Sequence, residues 1–229
     1  MKIKSHIPNA ITLLNLLSGV IGIIWVINGN IVSGAYFIIL AAVFDFFDGF
    51  AARLLNVQGE LGKQIDSLAD LVSFGVLPGM ILFQMAHNSN IVWLPYLTLI
   101  VPLLSAVRLA KFNLDTRQSD KFIGLPTPAN ALFISTLPYF AIEWPWVGTW
   151  LTSPFFLVVI AWVFSILLLV EIPLIALKFK TYSLIDNKFR YALLAIGLGL
   201  ILLFGLAGIP LVILAYLGLS LVENGKSPK

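Results

Sequence analysis

Apolar runs of about twenty residues recur between Pro8 and Val222, separated only by short polar loops. A helix needs about 20 residues to cross a ~30 Å hydrocarbon core, so the runs are of membrane-span length. The chain therefore reads as one all-α, polytopic integral membrane bundle occupying residues 1–229. Composition agrees, since 59% of the residues are hydrophobic, 11% are charged and the mean hydropathy is +0.98. A soluble domain of this size does not look like that. The basic start, Met1-Lys-Ile-Lys-Ser-His, leads straight into an apolar run that continues to Asn28 without a small-residue cleavage site. A retained first helix is expected, not a signal peptide. The absence of cysteine excludes disulfides, thiolate nucleophiles and sulfur-ligated metal.

Taken in order, the spans run from about Pro8 to Asn28, Val32 to Arg53, Gln64 to Ala86 and Ile91 to Lys111. A fifth, with Pro128 as an early residue, ends near Glu143, where Trp144, Trp146 and Trp150 form an interfacial aromatic belt. The sixth covers about Pro154 to Leu177. The run from Tyr191 to Val222 is too long for one crossing and splits at Gly205-Leu-Ala-Gly208-Ile-Pro210 into two short spans, which makes about eight. Eight spans put both termini and every even-to-odd loop on one side. All 14 lysines and arginines then fall on that side, among them Lys2, Lys4, Arg53, Lys63, Arg117, Lys121, Lys178, Lys180, Lys226 and Lys229. By the positive-inside rule that side is cytoplasmic. The expected location is the cell membrane, multi-pass, with the polar site described next facing the cytoplasm.

Four carboxylates stand where the composition dictates hydrocarbon. Asp45 and Asp48, at i, i+3, share one helix face, and Asp66 and Asp70, at i, i+4, share a face of the next span. The loop between them is short, so the two faces can meet. Like charges gathered in a low-dielectric medium must lose their charge or hold cations between them. All-oxygen ligands favour Mg²⁺ or Mn²⁺. Asp45 lies eight residues before Arg53, about 12 Å along a helix, so the cluster is near one membrane face. Carboxylates in spans also build ion pathways, and a cation or proton transporter is the alternative of a different class. The cluster's position away from the midplane, and the lack of an inverted repeat, argue against it.

The spacing D-x2-D-G-x2-A-R-x8-G-x3-D-x3-D runs without a gap from Asp45 through Gly49, Ala52, Arg53, Gly62 and Asp66 to Asp70. It resembles the signature of the CDP-alcohol phosphotransferases. Gly49 and Ala52 remove bulk beside the acids, and Arg53 offers a permanent fork for phosphate oxygens. The resemblance implies that Asp45, Asp48, Asp66 and Asp70 bind one or two divalent ions and that Asp70 is also the general base. It further implies CDP-lipid contacts from Gly49, Ala52 and Arg53, joined by Asn9 and Thr12, two residues that suit a helix cap equally well.

The wider pattern covers most of the first 135 residues and includes Asp66-Ser-Leu-Ala-Asp-Leu-Val-Ser-Phe-Gly, Arg108-Leu-Ala-Lys-Phe-Asn113 and Gly124-Leu-Pro-Thr-Pro-Ala. It resembles the bacterial members of the family that make phosphatidylserine. A catalytic core of about 1–145 and additional spans at about 150–222 are expected. Arg108 and Lys111, at i, i+3, form a cationic face suited to a serine carboxylate or a lipid phosphate, while Lys111 equally suits ordinary anchoring. The implied reaction transfers a phosphatidyl group from CDP-diacylglycerol to L-serine, with glycerol 3-phosphate or inositol phosphate as alternative acceptors. Membrane lipid is the surrounding partner, no nucleic acid is expected, and a homodimer is implied by the resemblance. His6, His87, Glu143 and Glu171 receive no catalytic role.

Overall fold

A computed structural model describes residues 6–57, 59–115, 122–176, 183, 184 and 186–226. Lys2, Lys4, Arg117, Lys121, Lys178, Lys180 and Lys229, used above to orient the chain, lie outside the described residues. The first helix, α1, is His6–Ile27, and Gly29, at φ 91°, permits the tight turn after it. A single 3₁₀ turn then leads into α2, Gly34–Leu54. The third span is continuous from Glu60 to Ala86: α3 (Glu60–Asp70), a π-helical stretch (Leu71–Val76) and α4 (Leu77–Ala86). A 3₁₀ entry at Leu94–Leu99 opens α5, Ile100–Leu114.

The remaining helices are α6 (Thr127–Glu143), α7 (Pro145–Leu151), α8 (Pro154–Leu169), α9 (Lys188–Phe204) and α10 (Ile209–Lys226). Two strand fragments, β1 (Phe122–Ile123) and β2 (Pro173–Leu174), pair antiparallel and tie the entrance of α6 to the exit of α8. The sixth span therefore ends at Leu169, short of the expected Leu177. Pro173 has no amide proton to continue a helix, and the chain turns into the strand pair instead.

The break expected near Gly205 is present. Gly205 has φ 55°, a 3₁₀ turn covers Gly205–Gly208, and α10 folds back so closely that Gly208 meets the carbonyl of Leu200. The count of eight spans is not reached on length and apolarity. Among the described residues five helical stretches suffice to cross a membrane, and six if the α7–α8 pair, bent by 84°, is one span. The α9–α10 run enters that count once, as a 38-residue stretch. The 17-residue α6 is too short by the same measure.

Burial singles out Glu60–Ala86 as the central helix, with 56% of its most apolar window inside the bundle against 33% or less for the other four stretches. Its Phe74, Leu77, Ile81 and Leu82 are fully buried and join Val26, Ile38, Val101 and Ile134 in one core. Outward faces are apolar instead, as at Leu13, Leu17 and Ile24 on α1 and Leu40, Val43 and Phe47 on α2. That distribution suits lipid as the surrounding solvent.

Candidate active site

On α1 the buried positions Thr12, Asn15, Gly19, Gly22 and Val26 repeat at alternating spacings of three and four, so one small and polar stripe faces the bundle. Glycine is required where α1 crosses the π-helical stretch. A Cβ on Gly19 would lie 2.9 Å from the Cα of Ser73 and would collide with its hydroxyl. The close approach lets Ser73 Oγ donate to the Asn15 carbonyl at 3.0 Å, while Asn15 Nδ2 donates to Asp70 Oδ1 at 3.0 Å. The π-helical stretch beginning at Leu71 directly follows Asp70, and such segments recur at functional sites.

The structure brings Asp45, Asp48 and Asp66 together, each offering a carboxylate oxygen within 4.8 Å of the others. Asp48 Oδ2 and Asp66 Oδ1 are buried and accept no hydrogen bond. Three carboxylates at such separations need counter-charge, and buried carboxylate oxygens without a partner are what a cation would satisfy. An all-oxygen donor set fits a hard divalent ion. Asp70 stands outside this triad of oxygens, although its side chain is buried close by and opens onto the same cavity as Asp45 and Asp66.

Two cavities converge on the cluster. The first, of about 440 Å³, is walled by α1, α2 and the start of α3, and its lining includes Asn9, Thr12, Gly49, Ala52 and Arg53. All five residues expected to contact the CDP-lipid thus share one pocket. A Cβ on Gly49 would find its nearest neighbour 4.0 Å away, at Arg53 Nη2, so the missing side chain leaves open space. Gly62 serves differently, for a Cβ there would press to 3.3 Å from Asn9 Oδ1, across the α1–α3 contact. Thr12 Oγ1 donates back to the Pro8 carbonyl at 3.1 Å, a bond within its own helix.

The second cavity, of about 340 Å³, lies on the other side of α3 and is completed by α5 and the start of α6. Asp45, Asp66, Asp70 and Arg108 line it together with Ser67, Asn113 and Thr127. Arg108 is buried, with its guanidinium carbon 5.5 Å from the centre of the Phe112 ring and its Nε unpartnered. The expected cationic face divides here. Lys111 does not line this cavity but a third one, of about 370 Å³, which Arg108 also reaches and which contains Glu171.

No site role followed from the sequence for Asn15, Lys63, Ser67 or Asn113. Lys63 Nζ donates to the Asn113 carbonyl at 2.7 Å, and Asn113 Nδ2 donates to Ser67 Oγ at 2.7 Å, joining α3 to α5. For Asn15 a signal existed, because an amide inside an apolar helix, three residues after Thr12 and four before Gly19, marks the inward stripe.

The model of the CDP-alcohol phosphatidyltransferase family matches residues 5–167. Over 139 residues the chain is 35% identical to the CDP-diacylglycerol–serine O-phosphatidyltransferase of Bacillus subtilis, covering 59% of this chain and 76% of that protein. The enzyme of the same name from Mycobacterium leprae is 32% identical over 176 residues, 73% of this chain and 57% of its own length. An archaetidylserine synthase of Methanothermobacter thermautotrophicus is 36% identical over 140 residues, 59% of either chain. The matched region contains the triad, Asp70 and both converging cavities, and the chain belongs to the CDP-alcohol phosphatidyltransferase family.

Proposed function

We propose that the protein transfers a phosphatidyl group from CDP-diacylglycerol to the hydroxyl of L-serine, yielding phosphatidylserine and CMP. The observation that carries this reading is the meeting of two cavities at one acid cluster, with the family's nucleotide-binding positions in one and an aspartate and a buried arginine in the other. The names of the relatives support serine as acceptor. Family membership favours transfer over an ion pathway.

In this reading the nucleotide occupies the first cavity, where the missing side chain of Gly49 leaves room and Arg53 meets phosphate oxygens. Serine enters the second, its carboxylate facing Arg108. Asp70, held through Oδ1 by Asn15, accepts the hydroxyl proton with its other oxygen. Serine Oγ then forms a bond to the phosphorus that carries diacylglycerol, and the bond from that phosphorus to the CMP oxygen breaks. A divalent ion held by Asp45, Asp48 and Asp66 would neutralise charge on the diphosphate. The charge pattern supports an active site open to the cytoplasm in a cell-membrane protein. Association as a homodimer belongs to the same reading and rests on the resemblance alone.

The test is CMP release by purified protein given CDP-diacylglycerol, Mn²⁺ and serine, glycerol 3-phosphate or inositol phosphate in turn. Serine should support release, EDTA should abolish it, and Mg²⁺ or Mn²⁺ should restore it. Release with a phosphorylated alcohol and none with serine would refute the acceptor assignment, and full activity in excess chelator would refute the metal.

A further inference from the structure

Among the described residues, Lys63 and Asp66 alone line both converging cavities. They stand at i, i+3 on α3 and so share the face that divides one cavity from the other. The Lys63 ammonium is anchored by a neutral group, the Asn113 carbonyl at 2.7 Å, and makes no ion pair among the described residues. The Asn113–Ser67 hydrogen bond holds that anchoring residue against α3. An ammonium has three donors, so a full positive charge and two N–H groups remain for whatever occupies the seam. Of the two nearby arginines, Arg53 lines only the first of the converging cavities and Arg108 only the second.

A phosphoryl group that leaves a nucleotide in one cavity for an alcohol in the other must cross this seam. We propose that Lys63 is a further catalytic residue that contacts the phosphoryl group in transit, an inference that rests on the transferase reading given above. As the phosphorus bonds to serine Oγ, the electron pair of the breaking bond stays on the CMP phosphate and the serine proton passes to Asp70. Lys63 remains protonated throughout and donates to the oxygens on which charge accumulates, an interaction stronger at the transition state than with bound substrate. The competing role is mechanical, in which Lys63 merely fastens α3 to α5.

Lys63→Gln separates the two, because glutamine can still donate to the Asn113 carbonyl but carries no charge, and Lys63→Arg restores the charge. With full-length protein, CDP-diacylglycerol in mixed micelles and serine, Lys63→Gln should lower kcat on the order of 10²-fold. The KM for CDP-diacylglycerol should change less than about threefold, as expected for an interaction made in the transition state. Lys63→Arg should recover most of the lost rate. Wild-type kcat in Lys63→Gln would overturn the proposal, as would equal loss in the Gln and Arg variants. If Lys63→Gln does not fold, replacement of Lys63 by Nε-acetyl-lysine, which keeps the apolar stem and one N–H donor without the charge, is judged by the same kcat and KM criteria. Wild-type protein that releases no CMP with serine, glycerol 3-phosphate or inositol phosphate overturns the transferase reading itself. An active wild type with a fully active Lys63→Gln overturns only the role of Lys63.

Discussion

Replacing Asn15 with leucine tests how Asp70, the proposed base, is held. The change keeps the side-chain shape and removes the donor 3.0 Å from Asp70 Oδ1, while the bond from Ser73 to the Asn15 main-chain carbonyl survives. A hydrogen bond to a charged group contributes about 1.5–3 kcal/mol, so the fraction of Asp70 correctly oriented should fall by the same free energy. At 1.36 kcal/mol per factor of ten, turnover should drop between about 10- and 150-fold. Global stability should change much less. Asn15 Oδ1 is buried without a partner, and deleting it recovers about 1–3 kcal/mol of desolvation that offsets the lost bond. The assay is CMP release at saturating CDP-diacylglycerol and serine, with KM for the nucleotide lipid and the thermal midpoint in detergent measured alongside. A well-folded Asn15→Leu protein with turnover within threefold of wild type would show that the Asn15–Asp70 bond does not serve the reaction.

Four other outcomes follow, three from the geometry and one from the charge pattern. Asp70→Asn keeps size and a carbonyl ligand but loses the base, so CDP-diacylglycerol binding should persist while turnover falls at least ~10²-fold; near wild-type turnover would remove Asp70 from that role. Asp45→Asn and Asp66→Asn should instead weaken Mn²⁺ and nucleotide-lipid binding together, read by calorimetry, because each removes charge from the cluster of oxygens within 4.8 Å. Gly19→Ala should cost about 1–3 kcal/mol by forcing a Cβ to 2.9 Å from the Ser73 backbone, lowering the thermal midpoint by several degrees; an unchanged midpoint would contradict the α1 crossing. Cysteines placed at Ser5 and Ser227 should both be shielded from an impermeant thiol reagent in intact cells, and opposite labelling of the two would contradict the charge-based orientation.

Much of this protein is legible without coordinates because its solvent is hydrocarbon. Apolar run length sets helix length, and the rarity of charge in such runs makes Asp45, Asp48, Asp66 and Asp70 stand out. The split at Gly205 was legible for the same reason, since a run of 32 residues from Tyr191 to Val222 exceeds one crossing. Span number was less legible, because short helices such as α6 and strongly bent pairs such as α7–α8 satisfy local sequence rules without satisfying a length rule.

Local spacing determined that the two carboxylate pairs occupy helix faces, because the 3.6-residue period depends only on the backbone. It also supplied the small residues Gly49 and Ala52, which line the cavity between α1, α2 and the start of α3. Tertiary structure alone decided how the four acids divide, with three oxygens gathered into a triad and Asp70 set apart on the hydrogen bond from Asn15, 55 residues away in sequence. It likewise separated Arg108 from Lys111, placing only the first beside the acids, and brought Asn113 to Lys63 across 50 residues. These distinctions depend on how three helices approach one another, which is set by contacts such as Gly19 on Ser73 and Gly62 on Asn9. Helical periodicity along one segment carries no information about the depth at which another segment crosses it.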